Sequence, residues 1–308
     1  MMPAKMQRSM LFVPAVKWAL IPKAAASEAD AVCIDLEDSV PAQEKEASRA
    51  NIVRAFEELD FGSRARMMRM NGLDTAFAYR DLIDIVERVG DRIDLVMLPK
   101  VNSAADVAFV ATLLGQIESN RGFTRKIGLA VQIETAAGFM NIREIAAASL
   151  RIEWMIFGQG DFAASMRMPA ADIGTMDEHD ALYPGHRWHT VMQTIVAAAR
   201  ANGLGCLDGP YAAFSDKQGF EHACKIARAL GFDGKQCIHP SQLAMANAAF
   251  SPSEAEAEYA RLVVAAYDAA AAAGKGAVQL DGKMVDEANV RMARVVLDQV
   301  DHMQRSKS

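Results

Sequence analysis

Short apolar runs alternate along the chain with longer amphipathic, alanine-rich stretches, the pattern of βα units that feed a parallel sheet. Eight runs predict strands: Ser9–Val13, Ala31–Asp35, Arg66–Met70, Leu95–Leu98, Gly128–Ile133, Trp154–Phe157, Leu204–Leu207 and Lys235–Ile238. Eight such units close a barrel, so the expected architecture is an α/β TIM barrel over residues 1–250. Helix signals fall where this scheme needs them. Ser103 with Asp106 opens the helix after the fourth strand, Pro240-Ser241 opens the one after the eighth, and Gly203 and Gly231 end two others. The stretch Met168–Gly185, rich in Pro, Gly, Asp and His, is too long for an ordinary βα loop and predicts a functional excursion on the top face. Beyond the barrel, a helix over Ser253–Ala273, a hairpin-like stretch near Val278–Leu280 and a helix from about Val285 form a C-terminal helical extension, residues 251–308. Gly274 and Gly276 in its turn suit a mobile arm or lid.

Composition narrows the function classes. A chain of 308 residues, 51% hydrophobic and 23% charged, has the make-up of a soluble enzyme. Its formal charge of −6, with no basic block, argues against nucleic acid as a partner. Cys33, Cys206, Cys224 and Cys237 lie far apart with no Cys-x-x-Cys pair and read as reduced core residues. Pro14, Lys17, Pro22 and Lys23 interrupt the first apolar stretch, and no later run is long enough for a bilayer, so the expectation is a cytoplasmic protein without a membrane partner.

In a TIM barrel the active site forms at the C-terminal ends of the strands. Those ends carry Asp35-Leu36-Glu37-Asp38, Arg69-Met70-Asn71-Gly72, Pro99-Lys100, Glu134-Thr135, Gly158-Gln159-Gly160-Asp161, Asp208-Gly209-Pro210 and His239-Pro240, a set acidic enough to hold a cation. Glu134 and Asp161 end consecutive strands. Alone, either reads as a helix N-cap; together they supply hard oxygen ligands for Mg²⁺, which keeps several waters that substrate oxygens can replace. Arg69 would face the barrel mouth, where it either clamps a substrate carboxylate or pairs with Asp35 or Glu37. Lys100 is a candidate contact for an anionic substrate. His179, His186 and His189 lie in one insertion, but no cysteine accompanies them, and carboxylate-bound magnesium explains the site without zinc.

These motifs resemble the citrate lyase β-subunit-like family, which includes malyl-CoA and citramalyl-CoA lyases. The resemblance spans nearly the whole chain and is carried by Ala31–Val40, Arg69–Gly72, Leu98–Lys100, Gln132–Gly138, Gly160–Phe162 and Gly234–Pro240, with Asp208–Asp216 closest to the malyl-CoA lyase branch. It implies that Glu134 and Asp161 bind Mg²⁺, that Arg69 holds the oxo-acid portion, and that Glu37 and Asp38 support the site. It also implies that Asp286, in Gly282-Lys283-Met284-Val285-Asp286, is an acid/base delivered by a C-terminal arm to a neighbouring subunit of a homo-oligomer, a trimer or hexamer. Without the resemblance, Asp286 reads as the N-cap of a helix over Ala288–Val300. Where the family has a Pro-Gly-Ser-Arg run, this chain has Pro14-Ala15-Val16-Lys17; Lys17 and Lys23 remain candidate contacts for a CoA phosphate.

The implied reaction is reversible cleavage of a 3-hydroxyacyl-CoA thioester, of malyl-CoA or citramalyl-CoA type, to an acyl-CoA and a 2-oxo acid. The alternatives are hydrolysis of the same thioester, a 2-oxo acid aldolase that uses no CoA, and a non-catalytic subunit of a lyase complex.

Overall fold

The structure, a computed structural model, describes residues 8–170, 172–182 and 187–305. In chain order its barrel elements are β1 (Ser9–Pro14), α1 (Ile21–Ala25), β2 (Ala31–Asp35), α2 (Lys45–Glu58), β3 (Ala65–Arg69), α3 (Ala78–Val89), β4 (Leu95–Leu98), α4 (Ala104–Arg121) and β5 (Gly128–Ile133). They continue as α5 (Ala136–Met140), α6 (Ile142–Ala146), β6 (Ile152–Phe157), α7 (Gln159–Ser165), α8 (His189–Ala201), β7 (Gly205–Asp208), α9 (Lys217–Leu230), β8 (Gly234–Cys237) and α10 (Leu243–Ala249). The eight strands pair in sequence order, all parallel, and β8 returns to β1 through Ser9↔Lys235, Met10↔Gln236 and Leu11↔Cys237. The expected TIM barrel is the observed fold.

Closure divides each strand by alternation. Met10, Ala31, Cys33, Ala65, Met67, Leu95, Met97, Ala130, Trp154, Ile156 and Leu207 pack together inside the barrel. The intervening residues, among them Leu11, Val32, Ile34, Met68, Val96, Val131, Met155 and Cys206, pack under the helices in a larger cluster. Because both faces are buried, the strands read as continuous apolar runs. The same two-residue step carries each inward-facing row to the top of the barrel, from Cys33 to Asp35, Met67 to Arg69, and Ala130 through Gln132 to Glu134.

Several strands begin or end one or two residues from their expected bounds. β3 covers Ala65–Arg69 rather than Arg66–Met70, β7 covers Gly205–Asp208 rather than Leu204–Leu207, β8 covers Gly234–Cys237 rather than Lys235–Ile238, and β6 starts at Ile152 rather than Trp154. Apolarity marks burial, whereas the ladder is set by backbone pairing, and glycine carries no side chain to announce a buried position. Gly205 is such a case, since the Trp154 ring occupies the space its side chain would need. The helix signals hold at Ser103, which forms a capping box with Asp106, and at Gly231, which caps α9 at φ +100°. Gly203, at φ +70°, stands beyond α8, which ends at Ala201.

The chain divides into two compact units, residues 1–250 and 251–308. The second holds α11 (Glu254–Ala272), a hairpin of β9 (Val278–Leu280) and β10 (Lys283–Val285), and α12 (Glu287–Arg305). Ser253 and Glu256 make a capping box for α11. The hairpin turns on Asp281 and Gly282, both at positive φ, as a two-residue turn requires. Ala260, Val263, Val285, Val290 and Ala293 form its core. Among the described residues no helix is long and apolar enough to cross a membrane.

Gly205→Ala drives a methyl group into the Trp154 ring inside a close-packed barrel, and such overpacking typically costs about 1–3 kcal/mol. Urea denaturation of the variant is expected to show a loss of that size; wild-type stability would mean that the ring shifts freely.

Candidate active site

A cavity of about 390 Å³ opens at the C-terminal end of the barrel. Asp35, Arg69, Gln132, Glu134 and Asp161 form its polar wall, while Phe12, Pro14, Ile173, Pro210 and Ile238 form its apolar one. The structure thus brings together Glu134, Asp161 and Arg69, three residues singled out in the sequence.

Glu134 follows β5 and is almost fully buried. One carboxylate oxygen accepts from the backbone N–H of Lys100 at 2.6 Å, the other from Gln132 Nε2 at 2.6 Å. Lys100 takes φ +50°, a left-handed conformation unusual for a side-chain-bearing residue, and so aims its amide at Glu134. Opposite stands Gly158, where a Cβ would overlap Glu134 Oε2 and Cβ. Only glycine leaves the carboxylate its place. Burial, followed by the nearby charges of Glu37 and Asp161, pushes the Glu134 carboxyl up to about 8, with Arg69 opposing.

Arg69, the last residue of β3, is committed to its neighbours. Nε and Nη2 donate to Asp35 at 2.6 and 2.8 Å, and Nη1 lies 2.8 Å from Glu37 Oε2. Ion pairing, one of the two readings open in the sequence, is the arrangement present; two of the five guanidinium N–H bonds go to Asp35, and the side chain still lines the cavity. Burial works to raise the Asp35 carboxyl, but the Arg69 charge and hydrogen bonds outweigh it and hold Asp35 below the ordinary range. Glu37 is buried and shifted upward, chiefly by desolvation. Asp38 is mostly exposed at the rim. Lys100 Nζ reaches Glu37 at 2.5 Å, Asp38 at 3.2 Å and Asp161 at 3.8 Å, so its charge is engaged by the acidic cluster. Burial alone would lower that ammonium; the three carboxylates raise it instead.

Several further residues contribute to which the sequence alone assigned no role. Lys45 on α2 is buried, with burial lowering its ammonium, and it donates to Leu36 O at 2.8 Å, Glu37 O at 2.9 Å and Asn71 Oδ1 at 2.5 Å. Asn71 Nδ2 in turn donates to Asp81 Oδ2 at 2.6 Å, and Asp81 receives Arg49 Nε at 2.8 Å. This chain ties the loops after β2 and β3 to α2 and α3. Gln132 and Gln236 also face the cavity, where Gln132 Oε1 and Gln236 Nε2 are buried without a hydrogen-bond partner among the described residues. Gln132 was readable by parity, two residues before Glu134. Lys45 was not, because a lysine on a helix ordinarily faces solvent.

Other candidates stand apart. Lys17, at the turn after β1, and Lys23, on α1, are exposed and line no part of the cavity. In the second unit, Asp286 Oδ1 accepts from Ala288 N at 2.9 Å and Asn289 N at 3.2 Å, an N-cap for α12. His186, with Tyr183–Gly185, lies outside the described residues; among the described ones no group of three His, Cys, Asp or Glu gathers as a metal cluster. The four cysteines are buried and unpaired. A second cavity of about 360 Å³, between the outer face of β7 and β8 and helices α8 and α9, contains the buried Lys235–Asp208 ion pair. There Lys235 and Asp208 pair with one another, and Asp216, also in the lining, accepts from the Tyr211 hydroxyl at 2.6 Å.

Residues 8–240 match the HpcH/HpaI aldolase/citrate lyase family. The chain belongs to this family. It is 44% identical, over 97% of its length and 96% of the relative's, to L-malyl-CoA/beta-methylmalyl-CoA lyase of Cereibacter sphaeroides. It is also 37% identical, over 94% of its length and 93% of the relative's, to (3S)-malyl-CoA thioesterase of the same organism. Among solved structures it is similar to CitE from Mycobacterium tuberculosis in complex with magnesium, acetoacetate and coenzyme A, with a TM-score of 0.75 and 31% identity over 96% of this chain and 98% of that one. The citrate lyase beta subunit of that organism complexed with oxaloacetate and magnesium gives a TM-score of 0.66 and 30% identity over 80% of this chain and 98% of that one. The protein is accordingly an enzyme of the carbon–carbon lyase class.

The donor set of this family member suits magnesium. Asp35, Glu37, Asp38, Glu134 and Asp161 gather around Arg69 and Lys100 with the Lys45 ammonium behind them, five carboxyls to three cations, and burial holds Glu134 protonated near neutral pH. A divalent cation relieves both the charge surplus and the desolvation of Glu134. Two carboxylates from the protein, with water or substrate completing the shell, is the arrangement Mg²⁺ favours.

Binding requires the ionised carboxylate, so loading magnesium below about pH 8 displaces the Glu134 proton. Affinity is therefore expected to rise roughly tenfold per pH unit up to about pH 8 and to level off above it. Calorimetric titration with Mg²⁺, in buffers of different ionisation enthalpy, reads both the affinity and the released proton. An affinity independent of pH over that range removes Glu134 from the metal site.

Proposed function

We propose that the protein is a magnesium-dependent lyase that cleaves a 3-hydroxyacyl-CoA of malyl-CoA or citramalyl-CoA type, reversibly, to an acyl-CoA and a 2-oxo acid. The observation that carries this reading is the buried Glu134 and neighbouring Asp161 in one cavity with Arg69, on a chain 44% identical to a malyl-CoA lyase. When bound, Mg²⁺ supplies Lewis-acid stabilisation of oxyanion charge. Glu134 and Asp161 hold it. Arg69, braced by Asp35 and Glu37, directs its remaining N–H bonds at the oxo-acid carboxylate. Glu37, Asp38 and Lys100 fix the charge balance around that carboxylate, and Lys100, its ammonium held by Glu37 and Asp38, is the candidate contact for an anionic oxygen of substrate. Lys17 and Lys23 are the candidate phosphate contacts of the CoA carrier.

Cleavage breaks the C2–C3 bond, with the 3-hydroxyl losing its proton and C2 gaining one as the acyl-CoA forms. We assign the proton at C2 to Asp286 of a neighbouring subunit in a homo-oligomer, with the barrel as catalytic domain and residues 251–308 as the arm. A trimer or hexamer meets this requirement. The unpaired cysteines agree with a cytoplasmic location. The thioesterase relative defines the competing reading, water attack on the thioester of the same substrate.

Purified protein with Mg²⁺ is expected to release a free 2-oxo acid from malyl-CoA or citramalyl-CoA, and Glu134→Gln to abolish most of that release. Release of free hydroxy acid instead identifies a thioesterase, and full activity in EDTA discards the metal.

Asp286→Asn is expected to lower kcat by about 10²–10⁴ while leaving Mg²⁺ affinity unchanged, the usual scale of general acid–base catalysis. If the residue acts across an interface, Asp286→Asn and Glu134→Gln subunits, each inactive, regain activity when mixed. Mass spectrometry of differently tagged subunits checks that mixed oligomers form; mixing without recovery rules out action across the interface, and unimpaired turnover of Asp286→Asn confines the residue to its helix cap.

A further inference from the structure

The apolar wall of the cavity has two sides. Phe12, Pro14 and Ile238 belong to β1 and the end of β8, whereas β5, which leads to Glu134, lies four strands away across the closed barrel. Ile173 stands on the other side, beside the metal-binding carboxylates. A Cβ at Gly160 would come within 2.8 Å of Ile173 Cδ1 and 3.1 Å of its Cγ1, so this side chain packs down on the backbone next to Asp161. It is 39% exposed and projects from the long excursion after α7.

The excursion is anchored where it meets the cavity. Ala212 N donates to Ile173 O at 2.9 Å, and the Ile173 amide donates to Asp172 Oδ1 at 2.7 Å. Gly174, at φ +85°, lies so close to Pro210 O and Tyr211 Cα that no side chain fits there. Arg187 braces the rest, reaching Pro169 O at 2.8 Å, Asp177 at 3.0 Å and Asp180 at 3.0 Å. The backbone of residue 173 is thus tied to the loop after β7, and its side chain forms part of the cavity wall.

We infer that Ile173 sets the size of the substituent on the 2-oxo acid: it faces the carbonyl carbon held beside Asp161, and it discriminates hydrogen from methyl at that carbon. This rests on the proposed lyase reading for the orientation of substrate. A substituent on the acyl-CoA partner points to the β1 and β8 side and is blind to Ile173.

The test compares direct binding of glyoxylate and pyruvate to the magnesium-loaded protein by calorimetry, in wild type, Ile173→Val and Ile173→Ala. Ile173→Ala is expected to shift the Kd ratio about tenfold in favour of pyruvate, the usual worth of a methyl-sized space in an apolar pocket, with Ile173→Val intermediate. Hydration of the free oxo acids cancels in this comparison. In turnover, kcat/KM for citramalyl-CoA over malyl-CoA should shift in the same direction, while the ratio of β-methylmalyl-CoA to malyl-CoA stays constant. Kd ratios within twofold of wild type in both variants overturn the inference, as does a shift confined to the acyl-side methyl. Oxo-acid binding is independent of thioester chemistry, so absence of lyase turnover with an intact Kd shift would refute the proposed reaction and leave the role of Ile173 standing.

Discussion

A carboxylate held out of water is the constraint on which the site depends. Glu134 is enclosed by Gln132, the Lys100 amide and the bare backbone of Gly158, and its environment favours the neutral acid until a cation arrives. The surrounding features make sense as consequences. Lys100 accepts a left-handed backbone to present its amide, and Arg69 is divided between Asp35 and Glu37 so that its own charge stays in place. Breaking one partner of such a buried network leaves the other uncompensated, which is why the cluster holds its geometry as a unit.

The barrel supplies the precision. Each of these side chains stands at the end of a row that lower down is plain packing, Cys33 beneath Asp35, Met67 beneath Arg69, Ala130 beneath Gln132. A rigid, fully paired strand fixes direction to within a rotamer, and the helices behind it brace the loops. Lys45 shows how far that bracing extends. Its ammonium binds two carbonyls of the β2 loop and the Asn71 side chain after β3, so two of the loops bearing active-site residues are fixed from a helix that never enters the cavity.

Stability and function occupy different regions of the chain. The interior cluster and the helix-facing cluster carry the apolar burial, whereas the carboxylates that face the cavity gather at the top of the barrel. The excursion after α7 extends this division, using Arg187 with Asp177 and Asp180 as its own internal frame while presenting one apolar side chain to the cavity.

The sequence by itself pointed to the architecture, because eight apolar runs separated by amphipathic helices bury both strand faces when the parallel sheet closes on itself. It also marked Glu134, Asp161 and Arg69, since charged residues at or shortly beyond the ends of buried runs stand out against the apolar pattern, although Asp161 lies in the first turn of α7 and not at the end of β6 itself. Local capping was equally legible at Ser103 and Gly231, where the signal lies within four residues. Tertiary structure alone decided the rest. That Arg69 pairs with Asp35 and Glu37, that Lys45 turns inward, that Gly158 clears room for Glu134 and that Ile173 reaches the cavity all depend on contacts between segments distant in sequence. Residue type and spacing leave those contacts open, because the identity of a neighbour across the barrel is fixed only when the sheet closes.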